Sequence, residues 1–304
     1  MSGDRFVTRH LLNVVDFTAD ELRTILSLAQ QPELPHVLAG MGAALIFEKP
    51  SNRTRQSMEM AVFQLGGHPV YTRGEEVGFD VREPVEDIVR VMAGYHAVLA
   101  ARVFSHDIVA RMAAVSTVPV VNMLSDHSHP LQALADVLTM QQAHGSLDGL
   151  RVAYVGDYNN VSRSLGEACV MLGATLVLAC PMGYHADDSE LERVNALGPG
   201  ALTQVHRPAE AVVGAVAVHT DSWTSMGQEA EKQQRSQAFE GYTVDAALMA
   251  HAAPGAGFYH CLPAYRGLEV SAEVIDGPAS RVIAQAHNRM HAARGALAFL
   301  LGVR

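Results

Sequence analysis

The strongest constraint in this 304-residue sequence is a rhythm. Short apolar runs alternate with stretches of helical periodicity, and a polar cluster follows most of the runs. Residues 43–48, 68–72, 98–101 and 119–122 read as strands, and so do 151–156, 175–179, 215–220 and 257–261. Residues 53–65, 85–94, 129–144 and 282–301 read as helices, and Thr18 with Glu21 gives the capping-box spacing for one more near the start. Apolar strands interleaved with helices predict parallel sheets covered on both faces. A glycine-bounded break at 145–149 separates two such series. The expected class is α/β: two doubly wound parallel-sheet domains with a cleft between them, the C-terminal helix packing back on the first. The expected boundaries are 1–145 with 282–304 for the first domain and 146–281 for the second.

Composition narrows the function. The chain carries 22 Lys and Arg against 32 Asp and Glu, a formal charge of −10. That balance argues against nucleic acid or an anionic membrane surface as partner, but not against a small anion held by local charges. Cys169, Cys180 and Cys261 are too widely spaced for a CxxC pair or a disulfide framework. The N-terminal segment has no secretory pattern, and no uncharged apolar run approaches the roughly 18 residues of a membrane span. A cytoplasmic protein with reduced thiols is expected.

In doubly wound sheets, ligands sit beyond the carboxyl ends of the strands. The polar clusters fall there. Ser51-Asn52-Arg53-Thr54-Arg55 opens a helix after a strand, where free N–H groups, hydroxyls and a planar guanidinium suit a phosphate. An ordinary capped helix with solvated arginines is the other reading. No GxxxxGK[ST] loop is present. His129-Pro130-Leu131-Gln132 places an imidazole and an amide one helical turn apart, with proline suited to the first turn. His127 and His129 lack a third zinc ligand, and His287 and His291 lack the acid of an HExxH motif, so no metal centre is expected. Gly156-Asp157-Tyr158-Asn159-Asn160 is not a GxGxxG fingerprint, so a dinucleotide is not expected there; the reading includes no cofactor. Asp221-Ser222-Trp223-Thr224-Ser225-Met226 gathers a carboxylate, hydroxyls and an indole. Cys261 ends a strand, as a nucleophile or as a buried filler.

Together and in this order, the segments FEKPSNRTR (47–55), QLGGHPV (64–70), HPLQALAD (129–136), VGDYNN (155–160), DSWTSMG (221–227) and HCLPAYRG (260–267) resemble the ornithine branch of the aspartate/ornithine carbamoyltransferase family. The resemblance runs nearly end to end. It implies transfer of the carbamoyl group from carbamoyl phosphate to the side-chain amine of L-ornithine. Ser51, Asn52, Arg53 and Thr54 would hold the phosphate. Arg102, His129 and Gln132, with Pro130 and Leu131, would hold the carbamoyl group. Asn160, Asp221, Ser225 and Met226 would bind ornithine. Cys261 and Leu262 would line the point where the substrates meet, and Arg289 would return to the carbamoyl group. Arg102, His129, Asp221 and Cys261 are the expected catalytic set, in a homotrimer or a multiple of it.

Three segments depart from the family pattern. Asn52 replaces a threonine. Glu76, in the polar loop 73–83, stands where a glutamine often reaches a neighbouring subunit's site. Gly94-Tyr95-His96-Ala97 replaces Arg-Tyr-Val-Asp.

Overall fold

The structure is a computed structural model, and it describes residues 8–224 and 229–304. The strands are β1 (Gly42–Phe47), β2 (His68–Arg73), β3 (His96–Arg102), β4 (Val120–Leu124), β5 (Arg151–Val155), β6 (Thr175–Ala179), β7 (Ala201–Val205), β8 (Ala217–Thr220) and β9 (Gly257–His260). The helices that precede or follow β1 to β4 are α1 (Ala19–Gln30), α2 (Asn52–Gln64), α3 (Gly74–Val77), α4 (Val85–Met92), α5 (His106–Val115) and α6 (Pro130–His144). The rest are α7 (Asn160–Met171), α8 (Asp188–Asn195), α9 (Pro208–Val212), α10 (Lys232–Ala238), α11 (Ala246–Met249), α12 (Ala272–Ile275) and α13 (Val282–Leu300). None of the described helices is long and apolar enough to cross a membrane.

The chain forms two compact units, Met1–Leu131 with Arg289–Arg304, and Gln132–Asn288. Both divisions fall inside helices, α6 and α13, rather than in the loops at 145 and 281. The cause is local. Asp136 on α6 bonds Gln285 on α13, and Thr139 bonds Asn288, so residues 132–144 and 282–288 form one layer of the second unit. The equal offset of the two pairs means that the two helices run in the same direction there.

The first unit holds a four-stranded sheet in the order β2-β1-β3-β4, with every pairing parallel. Ala44, Ile46, Leu99, Ala101 and Val120 from its strands pack with Val85, Ile88, Val89, Val109 and Met112. Thr18 and Glu21 form the capping box of α1, each side chain bonding the other's backbone N–H. The last turns of α13 pack on α1. Buried Arg294 donates to the carbonyls of Ala29 and Gln31, acceptors that the end of α1 leaves without helical partners. Gly295 makes this approach possible: a Cβ there would come within 2.6 Å of the Ile25 carbonyl oxygen.

The second unit holds a parallel five-stranded sheet in the order β7-β6-β5-β8-β9. Its core joins Ala153, Val155, Val177 and Val218 to Val212, Val244, Phe258, Val274 and Val282. Strand order reverses between β1 and β3 in the first sheet and between β5 and β8 in the second. Those are the switch points beyond which a doubly wound sheet binds ligands.

Two local expectations change. β7 has no counterpart in the sequence reading, because this edge strand buries only Leu202 deeply and so lacks a continuous apolar signature. The stretch 73–83 is not loop throughout. Gly74–Val77 is a turn of helix that Gly78 ends with φ 60°, and Val77 and Phe79 are buried in the core beyond it.

Candidate active site

At the first switch point, Ser51 caps α2. Its Oγ accepts the Thr54 N–H at 3.4 Å and lies 3.1 Å from the Thr54 hydroxyl. Thr54 is buried. Its Oγ1 accepts from Arg102 Nη1, at the end of β3, and from Arg289 Nη2 on α13, each at 3.3 Å. Two buried guanidiniums thus share one hydroxyl beside a helix N-terminus, a strong local preference for an anion despite the net charge. Asn52 is exposed and Arg53 half-buried on the same first turn. Arg55, named with this group from the sequence, is occupied otherwise: it pairs with Glu59 at 2.7 Å and lies over the Tyr71 ring.

His129, Pro130 and Leu131 are buried at the start of α6. Asn122, wholly buried, holds the preceding turn. Its Nδ2 donates to the Leu12 carbonyl at 2.9 Å and lies 3.2 Å from both Ser125 Oγ and the Ser128 carbonyl. Burial first, then the charges of Arg289 and Arg102, push the His129 imidazole well below its usual range. At neutral pH it is therefore an uncharged ring that can donate one N–H. His127 is exposed and sits against His106, ring centroids 5.1 Å apart.

The polar end of the second switch point centres on Asp221. Its Oδ1 accepts from the Cys261 thiol at 3.1 Å and from the Ser222 N–H at 2.8 Å, while Oδ2 accepts from Asn159 Nδ2 at 3.2 Å. Asn159 also caps α7, accepting the N–H groups of Val161 and Ser162. Asn160 is the first residue of that helix. Ser225 and Met226, expected to bind ornithine, lie outside the described residues. Leu262 adopts φ 60°, a left-handed conformation uncommon for leucine, and the peptide to Pro263 is cis. The Ser222 hydroxyl donates to the Pro263 carbonyl and ties the two segments together.

Asp221, His260 and Cys261 bring potential ligand atoms within 4.8 Å of one another. His260 is already committed, however. Its Nδ1 accepts the Leu262 N–H at 2.9 Å, which leaves the proton on Nε2, 3.2 Å from Glu269. The cluster reads as a hydrogen-bonded platform for the Cys261 thiol.

The sequence reading gives no role to Asn159, which it names only within the turn 156–160, or to Asn122 and Arg235. This last side chain pairs with Asp157 at 2.6 Å and donates to the Trp223 carbonyl. The cap preference of asparagine was a signal available for Asn159. In the local sequence Arg235 reads as half of an ordinary i,i+4 pair with Glu231, and its partner Asp157 lies 78 residues away.

Matches to known proteins bear on this geometry. Residues 9–142 match the carbamoyl-P binding domain of aspartate/ornithine carbamoyltransferase, and residues 148–300 match its Asp/Orn binding domain. The chain belongs to the aspartate/ornithine carbamoyltransferase family. A relative in Thermus thermophilus, named ornithine carbamoyltransferase, is 44% identical over 99% of this chain and 100% of its own length. The structure of ornithine carbamoyltransferase from Pyrococcus furiosus, 42% identical, superposes with a TM-score of 0.92 over 97% of this chain and 98% of its own. A structure of N-acetyl-L-ornithine transcarbamylase, 30% identical, reaches 0.86 over 96% and 99%. The carbamoyltransferase fold thus extends over both units described above.

Proposed function

We propose that the protein is an ornithine carbamoyltransferase, converting carbamoyl phosphate and L-ornithine to L-citrulline and phosphate. The observation that carries this reading is the Thr54 hydroxyl held between two buried guanidiniums at a capped helix N-terminus. Ser51, Asn52, Arg53 and Thr54 receive the phosphate. Arg102, His129 and Arg289 take the carbamoyl group, and the family resemblance adds Pro130, Leu131, Gln132, Cys261 and Leu262. Asn160, Asp221, Ser225 and Met226 receive ornithine.

The chemistry needs no covalent intermediate. The side-chain amine attacks the carbamoyl carbon, negative charge develops on the carbamoyl oxygen, and phosphate departs. Thr54, Arg102 and the neutral His129 are the donors for that oxygen. Removing one such donor typically costs on the order of 10²–10³ in rate. Phosphate leaves into the positive field of the helix N-terminus.

The amine is the harder partner. An alkylamine has a pKa of about 10.4, so making it neutral at pH 7 costs roughly 4–5 kcal/mol. Asp221 receives the ammonium form, and Cys261, bonded to Asp221, positions the amine or moves its proton. Rate is expected to rise with pH until the bound amine is mostly neutral, and a flat profile between about pH 6 and 9 would contradict this.

The family's trimeric assembly, a place in arginine metabolism and a cytoplasmic location belong to the same proposal. N-acetylornithine and putrescine are the competing acceptors. Plain ornithine is favoured because the DSWTSMG and HCLPA segments follow the ornithine pattern. The test is ureido-product formation from carbamoyl phosphate with ornithine, N-acetylornithine and putrescine. Turnover with ornithine above the others is expected. Turnover with putrescine alone would move the acceptor, and turnover with none would remove the reading.

A further inference from the structure

Two carboxylates stand at the second switch point, and only one of them is paired with a cation. Val155 of β5 and Thr220 of β8 are register partners, and the Thr220 hydroxyl donates to the Val155 carbonyl at 2.6 Å. Neighbouring strands lie about 5 Å apart, so Asp157 and Asp221, just beyond that pair, sit at the same edge of the sheet. Asn159 adds a direct link, since it follows Asp157 in the turn and donates to Asp221 Oδ2.

Arg235 treats the two carboxylates differently. It is only 6% exposed. Its Nη1 donates to Asp157 Oδ2 at 2.6 Å and to the Trp223 carbonyl at 3.1 Å, and Nε donates to Glu231 at 2.9 Å. The guanidinium also lies over the Tyr184 ring. Asp221 has no ion-pair partner among the described residues. It accepts from neutral donors: the Ser222 N–H, the Asn159 amide and the Cys261 thiol.

The other titratable groups near these carboxylates are Tyr154, Cys180, His260, Cys261 and Glu231. Burial pushes Tyr154 and Cys180 up, so both stay neutral. The His260 ring is neutral because Nδ1 accepts the Leu262 N–H. Glu231 is more than half exposed, so water screens it. Burial also pushes the Asp157 carboxyl up, Arg235 opposes that shift, and Asp221 adds to it. Arginine stays charged at any working pH. The charges of Asp157, Asp221 and Arg235 therefore sum to one negative instead of two.

That sum bears on the reaction, because an ammonium group must lose its proton before it can attack. Each fixed negative charge beside it favours the ammonium form, and a fixed positive charge disfavours it. We propose that Arg235 is a positioning residue acting through Asp157 and Asp221: by neutralising Asp157 it leaves Asp221 to receive the acceptor ammonium while easing the loss of its proton. The inference rests on the assignment of Asp221 to the ornithine side chain given above.

The rising limb of kcat against pH, measured at saturating carbamoyl phosphate and ornithine, reports the bound amine. Arg235→Met leaves Asp157 unopposed, and the limb is expected to move to higher pH by about 0.5–1 unit. Asp157→Asn leaves the guanidinium unopposed, and the limb is expected to move to lower pH by about as much. The double substitution restores the charge sum and is expected to return the limb close to its wild-type position. Arg235→Lys keeps the charge and is expected to stay there too. General damage does not reverse its sign between two substitutions. Phosphonoacetamide, a non-hydrolysable mimic of carbamoyl phosphate, is expected to bind every variant about as tightly as it binds the wild type. Shifts that run in parallel with lost phosphonoacetamide affinity overturn the proposal. So does an unmoved limb in Asp157→Asn or in folded Arg235→Met, movement of both in one direction, or a flat wild-type profile. If Arg235→Met does not fold, Asp157→Asn and Arg235→Lys decide the matter. Citrulline formation by the wild type is measured alongside. If it occurs while the limbs stay in place, only the role of Arg235 fails. If none forms, the assignment of Asp221 fails with it.

Discussion

Thr54 shows how one side chain can gather positive charge at a helix N-terminus. Its hydroxyl collects two guanidiniums, one from the end of β3 and one from α13. Replacing Thr54 by valine keeps the shape but removes the oxygen that holds Arg102 and Arg289 together. The expected result is a fall in kcat of about 10²-fold, from loss of one donor to the developing oxyanion and looser placement of the other two. Steady-state citrulline kinetics would measure it. Arg53→Ala is expected to act differently, weakening carbamoyl phosphate binding by roughly 2–3 kcal/mol through loss of a charge-assisted contact. Titration with phosphonoacetamide would measure that loss, and unchanged affinity would place the phosphate elsewhere. The Ser51, Thr54 and Arg53 group was visible as a polar cluster after an apolar run. The part played by Arg55 was not, because whether a guanidinium on the first turn meets a ligand or its own helix depends on Glu59 and Tyr71 beside it.

Elements carry the next level of control. The C-terminal helix α13 can pack on α1 only because position 295 has no side chain, the nearest α1 atoms being backbone that cannot step aside. Gly295→Ala is therefore expected to destabilise the protein by about 1–3 kcal/mol, although alanine is the better helix former. A lower denaturation midpoint with an unchanged slope would establish it. The helix matters for the site because Arg289 lies on it. The strands were legible to within a residue or two wherever they are buried on both faces, as at 175–179. β7 was not, since an edge strand carries little apolar patterning. The short helix Gly74–Val77 escaped because four residues are too few to show a helical period; Arg111, bound to Asp80 and Glu86, holds the segment that follows it.

At the scale of the molecule, buried histidines make stability depend on pH. His219 is buried against the Tyr259 ring, and burial followed by neighbouring His260 lowers its pKa to about 3. His129 is lowered as well. Below about pH 6.5 the unfolded chain takes up protons on these residues that the folded protein refuses. The stability they contribute is complete above that value and declines as pH falls, by up to about 1.4 kcal/mol per pH unit for each group. For His219 the decline continues to about pH 3. His219→Phe, which keeps the stacked ring and removes a buried Nε2 with no partner among the described residues, is expected to flatten this slope. Denaturant melts at pH 5 and pH 8 would read it: the variant should gain on the wild type at pH 5 more than at pH 8.

Local periodicities and their punctuation are written in the linear chain. From these follow two α/β series, parallel sheets and polar clusters at strand ends, while the net charge argues against nucleic acid or an anionic membrane as partner and leaves room for a small anion. The run of family motifs added the chemistry. Which way each polar group points was set by packing in three dimensions. The capped turn at Ser51 gained its local positive field when Arg102 and Arg289, 48 and 235 residues from Thr54, arrived beside it. His129 became a neutral donor because burial and those same charges expel its proton. Arg235 came to pair with Asp157, 78 residues earlier in the chain. Hydrogen-bond polarity and burial are properties of neighbours in space, and a linear pattern does not contain them.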